Sequence, residues 1–183
     1  MIFNETPLRG SYCIELERHS DHRGFFARCF CKAEFTSRNL NYEWVQVNNS
    51  LSKNKFTLRG MHFQSSPYSE VKLIRCIRGV IWDVIVDLRT KSPTYGNYYG
   101  TELSAENRRM LYVPQGFAHG FISESENSEI LYLVSQNYHP EAEKTLAWDD
   151  PDVAIPWPLI PKYISIKDRQ GLSLKAIEQL AYS

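Results

Sequence analysis

The sequence predicts an all-β fold, a sandwich or barrel with a few short helices, and three observations carry that prediction. Short runs rich in Val, Ile, Phe and Tyr recur along the chain, several with the two-residue alternation of a half-buried strand. Gly, Pro, Asn and Ser separate them at close intervals. Helical periodicity is confined to residues 32–40 and 172–180. The 183 residues, 43% of them hydrophobic, suffice for one domain with a sizeable core, and no repeat, low-complexity tract or linker divides them. A single domain over 1–183 is expected.

In chain order, residues 1–20 read as one or two strands with a turn near Leu8-Arg9-Gly10. Asp21-His22-Arg23-Gly24 turns into the aromatic strand Phe25-Phe26-Ala27-Arg28, and a short helix follows. From Trp44 to Ser52 the chain alternates: Trp44, Gln46, Asn48 and Ser50 share one face, Val45 and Val47 the other. Amides turned inward predict a lined cavity, because buried amides need partners; an exposed sheet face is the competing reading. After the turn Lys53-Asn54-Lys55 comes Leu58-Arg59-Gly60-Met61-His62-Phe63-Gln64, with Met61 and Phe63 on one face and His62 on the other beside Gly60 and Gln64. A loop leads to a strand carrying Lys72, Ile74 and Cys76 on one face. Arg78-Gly79 then turns into a strand with Val80, Trp82, Val84, Val86 and Leu88 on one side and Asp83 and Asp87 among isoleucines on the other. An acid in such a run requires a cationic or histidine partner. Further strands are expected from Tyr98 to Leu103, at Met110-Leu111-Tyr112-Val113, around His119, and from Ile130 to Ser135 continuing to Asn137-Tyr138. Residues 148–151 and 155–158 read as rigid surface segments, 164–168 as a short strand or loop, and 172–180 as a terminal amphipathic helix.

Formal net charge is zero with no basic arm, which argues against nucleic-acid binding through bulk charge and leaves room for a small anionic ligand. No apolar run reaches the roughly 20 residues needed to span a membrane. The first seven residues lack the regions of a signal peptide, so a cytoplasmic location is expected. Cys13, Cys29, Cys31 and Cys76 include no CxxC pair and read as reduced, structural thiols.

The candidates for chemistry are His62, His119, Lys72, Arg59, Tyr132, Asp83 and Asp168. Taken singly, each has a bland explanation: a bonded core histidine, a surface lysine, a core tyrosine, a solvated turn for Asp21 and Arg23. No GxSxG elbow, phosphate-binding glycine loop or dinucleotide fingerprint is present. A metal oxygenase or isomerase with His62 and His119 as ligands lacks the usual His-x-His or His-x-Glu cluster, so no metal is expected. Acid–base work without metal fits better. A histidine oriented by an acid removes a proton beside a carbonyl, a lysine or arginine stabilises the oxyanion, and a tyrosine returns a proton. Delivery to the opposite face inverts the carbon. A binding module for sugar nucleotides would use the arginines and aromatics and has no need of a His–Asp pair.

Asp21-His22-Arg23-Gly24-Phe25-Phe26, Gln46-Val47-Asn48-Asn49-Ser50, Leu58-Arg59-Gly60-Met61-His62-Phe63-Gln64, Lys72-Leu73-Ile74-Arg75-Cys76 and Pro114-Gln115-Gly116-Phe117-Ala118-His119-Gly120-Phe121, with Trp148-Asp149-Asp150-Pro151 and Trp157-Pro158, resemble the dTDP-4-dehydrorhamnose 3,5-epimerase family, in the same order from about residue 7 to 170. The resemblance implies a cupin-like jelly roll, a homodimer exchanging N-terminal strands, and catalysis without metal or cofactor. By position, His62 matches the general base, Asp168 the acid that orients it, Tyr132 the general acid and Lys72 the group that stabilises the enolate. Arg23, Gln46, Asn48, Arg59, His119, Glu143 and Lys167 match substrate-contacting positions and Tyr138 an aromatic near the sugar; apart from the resemblance, the aromatic pair beside Arg23 offers a ring, Phe25, to stack on a base while Arg23 holds a phosphate. Asp83 is the second-ranked partner for His62.

The sequence departs from the family in three places. Arg28 stands near the nucleotide where the rhamnose enzymes tend to carry glutamate, the loop from Gln64 to Glu70 differs, and the proline after Asp168 is missing. Relatives with such changes epimerise one carbon, or act on CDP- or GDP-linked 4-keto hexoses or heptoses. The implied function is epimerisation of a nucleotide-diphosphate-linked 4-keto-6-deoxy sugar at carbon 3, carbon 5 or both, for polysaccharide or glycoside biosynthesis. A 3,4-ketoisomerase of similar fold is the second enzymatic reading.

Overall fold

A computed structural model describes residues 1–181. The elements in chain order are β1 (Ile2–Glu5), β2 (Tyr12–Glu15), β3 (Arg18–Asp21), β4 (Gly24–Ala27), α1 (Lys32–Thr36), β5 (Gln46–Ser52), β6 (Thr57–Gln64), β7 (Lys72–Arg78), β8 (Val80–Asp87), β9 (Tyr98–Ser104), β10 (Met110–Val113), β11 (Phe117–Ser123), β12 (Ser128–Val134), β13 (Glu143–Thr145), β14 (Tyr163–Ile164), α2 (Ile166–Arg169) and α3 (Leu174–Ala181). One sheet runs β1-β2-β10-β7-β12-β5 and the other β13-β6-β11-β8-β9, with β14 also on β6; β3 and β4 form a separate hairpin. The two facing sheets form the cupin-like jelly roll that the family resemblance implies, within the all-β sandwich or barrel that the alternation and turn spacing predict. In the single chain, β1 pairs with its own β2.

The inner faces supply the core between the sheets. Ile74 and Cys76 of β7, Leu111 and Val113 of β10 and Ile130 of β12 meet Ile81 and Ile85 of β8, Leu103 of β9 and Phe117 and Phe121 of β11. Alternation fixes this set: the residues between them on β8 and β11 (Val84, Val86, Ala118) pack on the other face, under Leu146, Val153, Leu174 and Ile177. The outer face of the first sheet is covered by α1 through the fully buried Phe35, which meets Phe3, Phe30, Trp44 and Tyr112 edge to face or tilted.

Several elements differ from the sequence expectation: α1 ends at Thr36 rather than Leu40, and Asp150, read as surface, is buried where it accepts the Leu174 N–H. Residues 164–168 divide between β14 and the short helix α2, because the Ser165 hydroxyl accepts the Asp168 N–H at 3.0 Å and caps a helical turn. The β12 strand stops at Val134: the Ser135 hydroxyl takes up the Val71 N–H (2.8 Å) and the Asn137 carbonyl turns to the Gln64 amide (3.1 Å). The three-residue strand β13, too short for a periodic signal, pairs with β6.

One close approach positions the site. A Cβ built on Gly60, whose φ is +127°, would lie 2.5 Å from Gly120 Cα and 2.9 Å from the His119 carbonyl oxygen. Only glycine lets β6 and β11 meet this closely. The same pairing sets His62 opposite His119, with a register shift between His119 and Phe121.

Candidate active site

Beyond the core, the two sheets enclose a polar cleft with two adjoining lobes of about 150 Å³ each. His62, Lys72 and Tyr132 line both lobes and so stand at the junction. The inner lobe adds Ser50, Arg59, His119, Phe121 and Ile130; the outer adds Gln46, Asn48, Phe63, Gln64, Glu70, Val134, Tyr138 and Glu143. The inward amides on β5 are thus borne out, while Val45 and Val47 are exposed. Arg59, His62 and His119 come from the second sheet; Gln46, Asn48, Lys72 and Tyr132 come from the first. The histidines and the Lys–Tyr pair therefore reach the cleft from opposing walls.

His62 Nε2 lies 2.6 Å from Asp168 Oδ1, whose side chain is 5% exposed. Burial alone raises the Asp168 carboxyl. The His62 hydrogen bond and charge, with bonds from Ser165 and the Gly60 backbone, outweigh burial and hold the carboxyl below its ordinary value. An ionised carboxylate only accepts, so Nε2 carries the proton. In the neutral ring Nδ1 is then a free lone pair, and it has no hydrogen-bond partner among the described residues. This is the arrangement of an oriented general base.

His119 has a carboxylate of its own: Nε2 sits 2.8 Å from Oδ1 of the fully buried Asp83. The ranking of Asp83 as a second partner for His62 is therefore corrected. Strand β11 lies between β8 and β6, so an acid on β8 meets the β11 histidine first. The other oxygen, Asp83 Oδ2, is buried with no hydrogen-bond partner.

On the opposite wall, Lys72 Nζ is 3.0 Å from Glu70 Oε1 and 3.4 Å from the His62 carbonyl oxygen. The Tyr132 hydroxyl has no hydrogen-bond partner among the described residues. Burial pushes its phenol up, the Glu70 and Glu143 carboxylates push it further, and Arg59 partly opposes them. Tyr132 is thereby kept in the protonated form that a proton donor needs. At the outer rim, Glu143 accepts from Tyr138 (2.7 Å) and pairs with Lys167.

Of the residues singled out from sequence, His62, Lys72, Tyr132, Arg59, His119, Gln46, Asn48, Tyr138 and Glu143 line the cleft, Asp168 stands behind its wall, and Lys167 pairs with Glu143 at its rim. Arg23, Phe25 and Arg28 line neither lobe. Arg23 is exposed and paired with Asp21, Phe25 lies under Arg108 and Arg18, and Arg28 faces a separate hollow beside Glu34. Sequence reasoning missed Glu70, which lies in the loop before β7, where no strand period marks it. Among the described residues, no three His, Cys, Asp or Glu side chains converge as a metal site, and no helix is long and apolar enough to cross a membrane.

The fold and these groups define a jelly-roll protein with a cleft equipped for proton transfer at a carbon acid. The sequence profile of dTDP-4-dehydrorhamnose 3,5-epimerase matches residues 5–176, and the chain belongs to that family. Membership makes it an isomerase of the epimerase class. It is 44% identical over 176 residues to dTDP-4-dehydrorhamnose 3,5-epimerase of Methanothermobacter thermautotrophicus, covering 94% of each chain, and 38% identical to that of Escherichia coli, covering 96% of this chain and 95% of the relative. It superposes on the crystal structure of the enzyme from Elizabethkingia anophelis with a TM-score of 0.92, 39% identity and coverage of 96% and 97%. A 3'-monoepimerase from Streptomyces bikiniensis, solved with dTDP-quinovose, gives a TM-score of 0.87 at 30% identity, covering 96% of this chain and 89% of that one.

Proposed function

We propose that this chain epimerises a nucleotide-diphosphate-linked 4-keto-6-deoxy sugar, with dTDP as the first donor to test. The observation that supports this most is that an oriented histidine and a protonated tyrosine face one cleft from opposing sheets, with a lysine beside them. In this reading His62 Nδ1 takes the acidic proton beside the 4-keto group while Asp168 steadies the imidazolium that forms. The Lys72 ammonium stabilises the enolate oxygen. Tyr132 delivers a proton to the far face, and the carbon is inverted. No step asks for a redox group, because the hydrogen leaves and returns as a proton.

Solved relatives include a complex with dTDP-4-keto-L-rhamnose as well as the monoepimerase. One fold thus serves one or two centres, and deuterium exchange counts them for this chain. Arg23, Phe25 and Arg28 suit the nucleotide end of the substrate in a homodimer. Phe25 and Phe26 are 44% and 66% exposed on the β3–β4 hairpin, which a partner chain's cleft could receive. A cytosolic location fits the four free thiols.

The test is proton NMR in D₂O with dTDP-, CDP- and GDP-linked 4-keto sugars. Deuterium entering at carbons 3 and 5 indicates a double epimerase and names its donor. Entry at one carbon indicates a monoepimerase. Retained binding with no exchange from any substrate would overturn the catalytic reading in favour of a binding module.

A further inference from the structure

We propose that Glu70 is a positioning residue of this site, its carboxylate fixing the Lys72 ammonium on the cleft wall between His62 and Tyr132. This rests on the reading of Lys72 given above and extends it to a residue in the loop where the sequence departs from the family pattern.

Glu70 and Lys72 are 14% and 10% exposed and paired at 3.0 Å. The bond to Lys72 is the main one Glu70 makes. Its other neighbour, Gln64 Nε2, stands at 3.5 Å, and the two amide protons there are already given to the Tyr68 and Asn137 carbonyls at 3.0 and 3.1 Å. The loop carrying Glu70 is braced from both sides. The His139 N–H donates to Gln64 Oε1 at 2.6 Å, and the Tyr68 ring stacks on His139 at 3.7 Å between centroids. A carboxylate on such a support holds a flexible lysine at one point.

Lys72 has three protons. One goes to Glu70, a second points weakly at the His62 carbonyl oxygen, and the third is left for the cleft. A neutral residue at position 70 would leave the ammonium free among four rotatable bonds. It would also remove one of two carboxylates bearing on Tyr132, around which Glu143, Arg59, Lys72 and His62 remain.

The experiment compares wild type with Glu70→Gln, Lys72→Met and the double variant, with His62→Asn as control. kcat, KM and pH profiles come from the NMR assay, with deuterium wash-in overnight for slow variants. Glu70→Gln should lower kcat about 10- to 100-fold with KM within about threefold, since the group lost acts in the transition state. The alkaline limb of its profile should move to lower pH as Tyr132 loses a neighbouring negative charge. In the Lys72→Met background, which buries no unpaired charge in the double variant, adding Glu70→Gln should change kcat less than about twofold. A wild-type kcat and alkaline limb in Glu70→Gln would overturn the proposal. So would a change confined to KM, or full additivity in the double variant. Wild-type exchange by His62→Asn would overturn the reading of the site itself, a separate failure.

Discussion

Asp168→Asn isolates the charge behind the base. Asparagine keeps the shape of the side chain and removes its charge. In the wild type the 2.6 Å bond from His62 Nε2 meets a carboxylate that is 5% exposed. A hydrogen bond to a charged group contributes about 1.5–3 kcal/mol, and more is at stake once an imidazolium forms beside a poorly solvated acid. The amide also has two ways to answer Nε2. It accepts through Oδ1, keeping the tautomer without the charge, or it donates through Nδ2 and drives the ring proton to Nδ1, where no base remains. A loss of about 3–5 kcal/mol from both effects corresponds to a fall in kcat of roughly 10²–10⁴-fold. The assay is deuterium wash-in from D₂O with the best 4-keto substrate, read by proton NMR, with substrate affinity measured in parallel. Affinity should change little, because Asp168 sits behind the imidazole. A kcat within about threefold of wild type would refute the argument that His62 depends on this carboxylate.

Three further outcomes are expected. Tyr132→Phe removes the donor on the far wall and keeps the base, so inverted product should fall by about 10²-fold or more while proton loss to solvent falls less; equal losses in both would tell against a role in reprotonation alone. Gly60→Ala forces a Cβ to within 2.5 Å of Gly120 Cα at a φ of +127°, and should cost about 3 kcal/mol or more in urea unfolding, with His62 and His119 displaced together. Burial pulls the Asp87 carboxyl upward, but Arg89, Ser92 and Thr94, bonded at 2.6–2.8 Å, outweigh it and hold it below the ordinary 3.8. Its contribution is therefore fully present above that value and lost as pH falls through the folded-state value, so Asp87→Asn should cost about 1–3 kcal/mol at pH 7 and less near pH 3.

Most of the architecture was legible because strand alternation is a local property. Gln46, Asn48 and Ser50 read as one face and line the cleft; Lys72 precedes Ile74 and Cys76 on the face that enters it. The pairing of acids with histidines was not legible in the same way. Asp83 sits among isoleucines and so called for a partner, but which histidine it meets depends on β11 lying between β6 and β8. Asp168 reaches His62 from 106 residues away on a helical turn created by one serine cap, and only the family resemblance paired the two. Glu70 lies in a loop with no period to read, and its role emerges from the bracing by Gln64, Tyr68 and His139.

The charges around the cleft also bear on how a substrate would lie. His62 faces Asp168, His119 faces Asp83, Lys72 faces Glu70, and Lys167 faces Glu143. Arg59 is different: its guanidinium is held by the Ser52 hydroxyl at 3.2 Å and the Leu51 carbonyl at 3.1 Å, both neutral, and among the described residues it has no carboxylate partner. It is thus the cation on the cleft wall whose charge is left uncompensated, and on the proposed reading a diphosphate would gain most there, through the paired donors of a planar fork. With the diphosphate at Arg59, a sugar reaching across the junction meets His62 on one side and Lys72 and Tyr132 on the other. The already neutralised Lys72–Glu70 pair has little attraction for a phosphate, so it leaves the ketone oxygen without a stronger rival. On the proposed reading, the same pairing that lowers the net charge of the sugar lobe keeps the nucleotide end out of it.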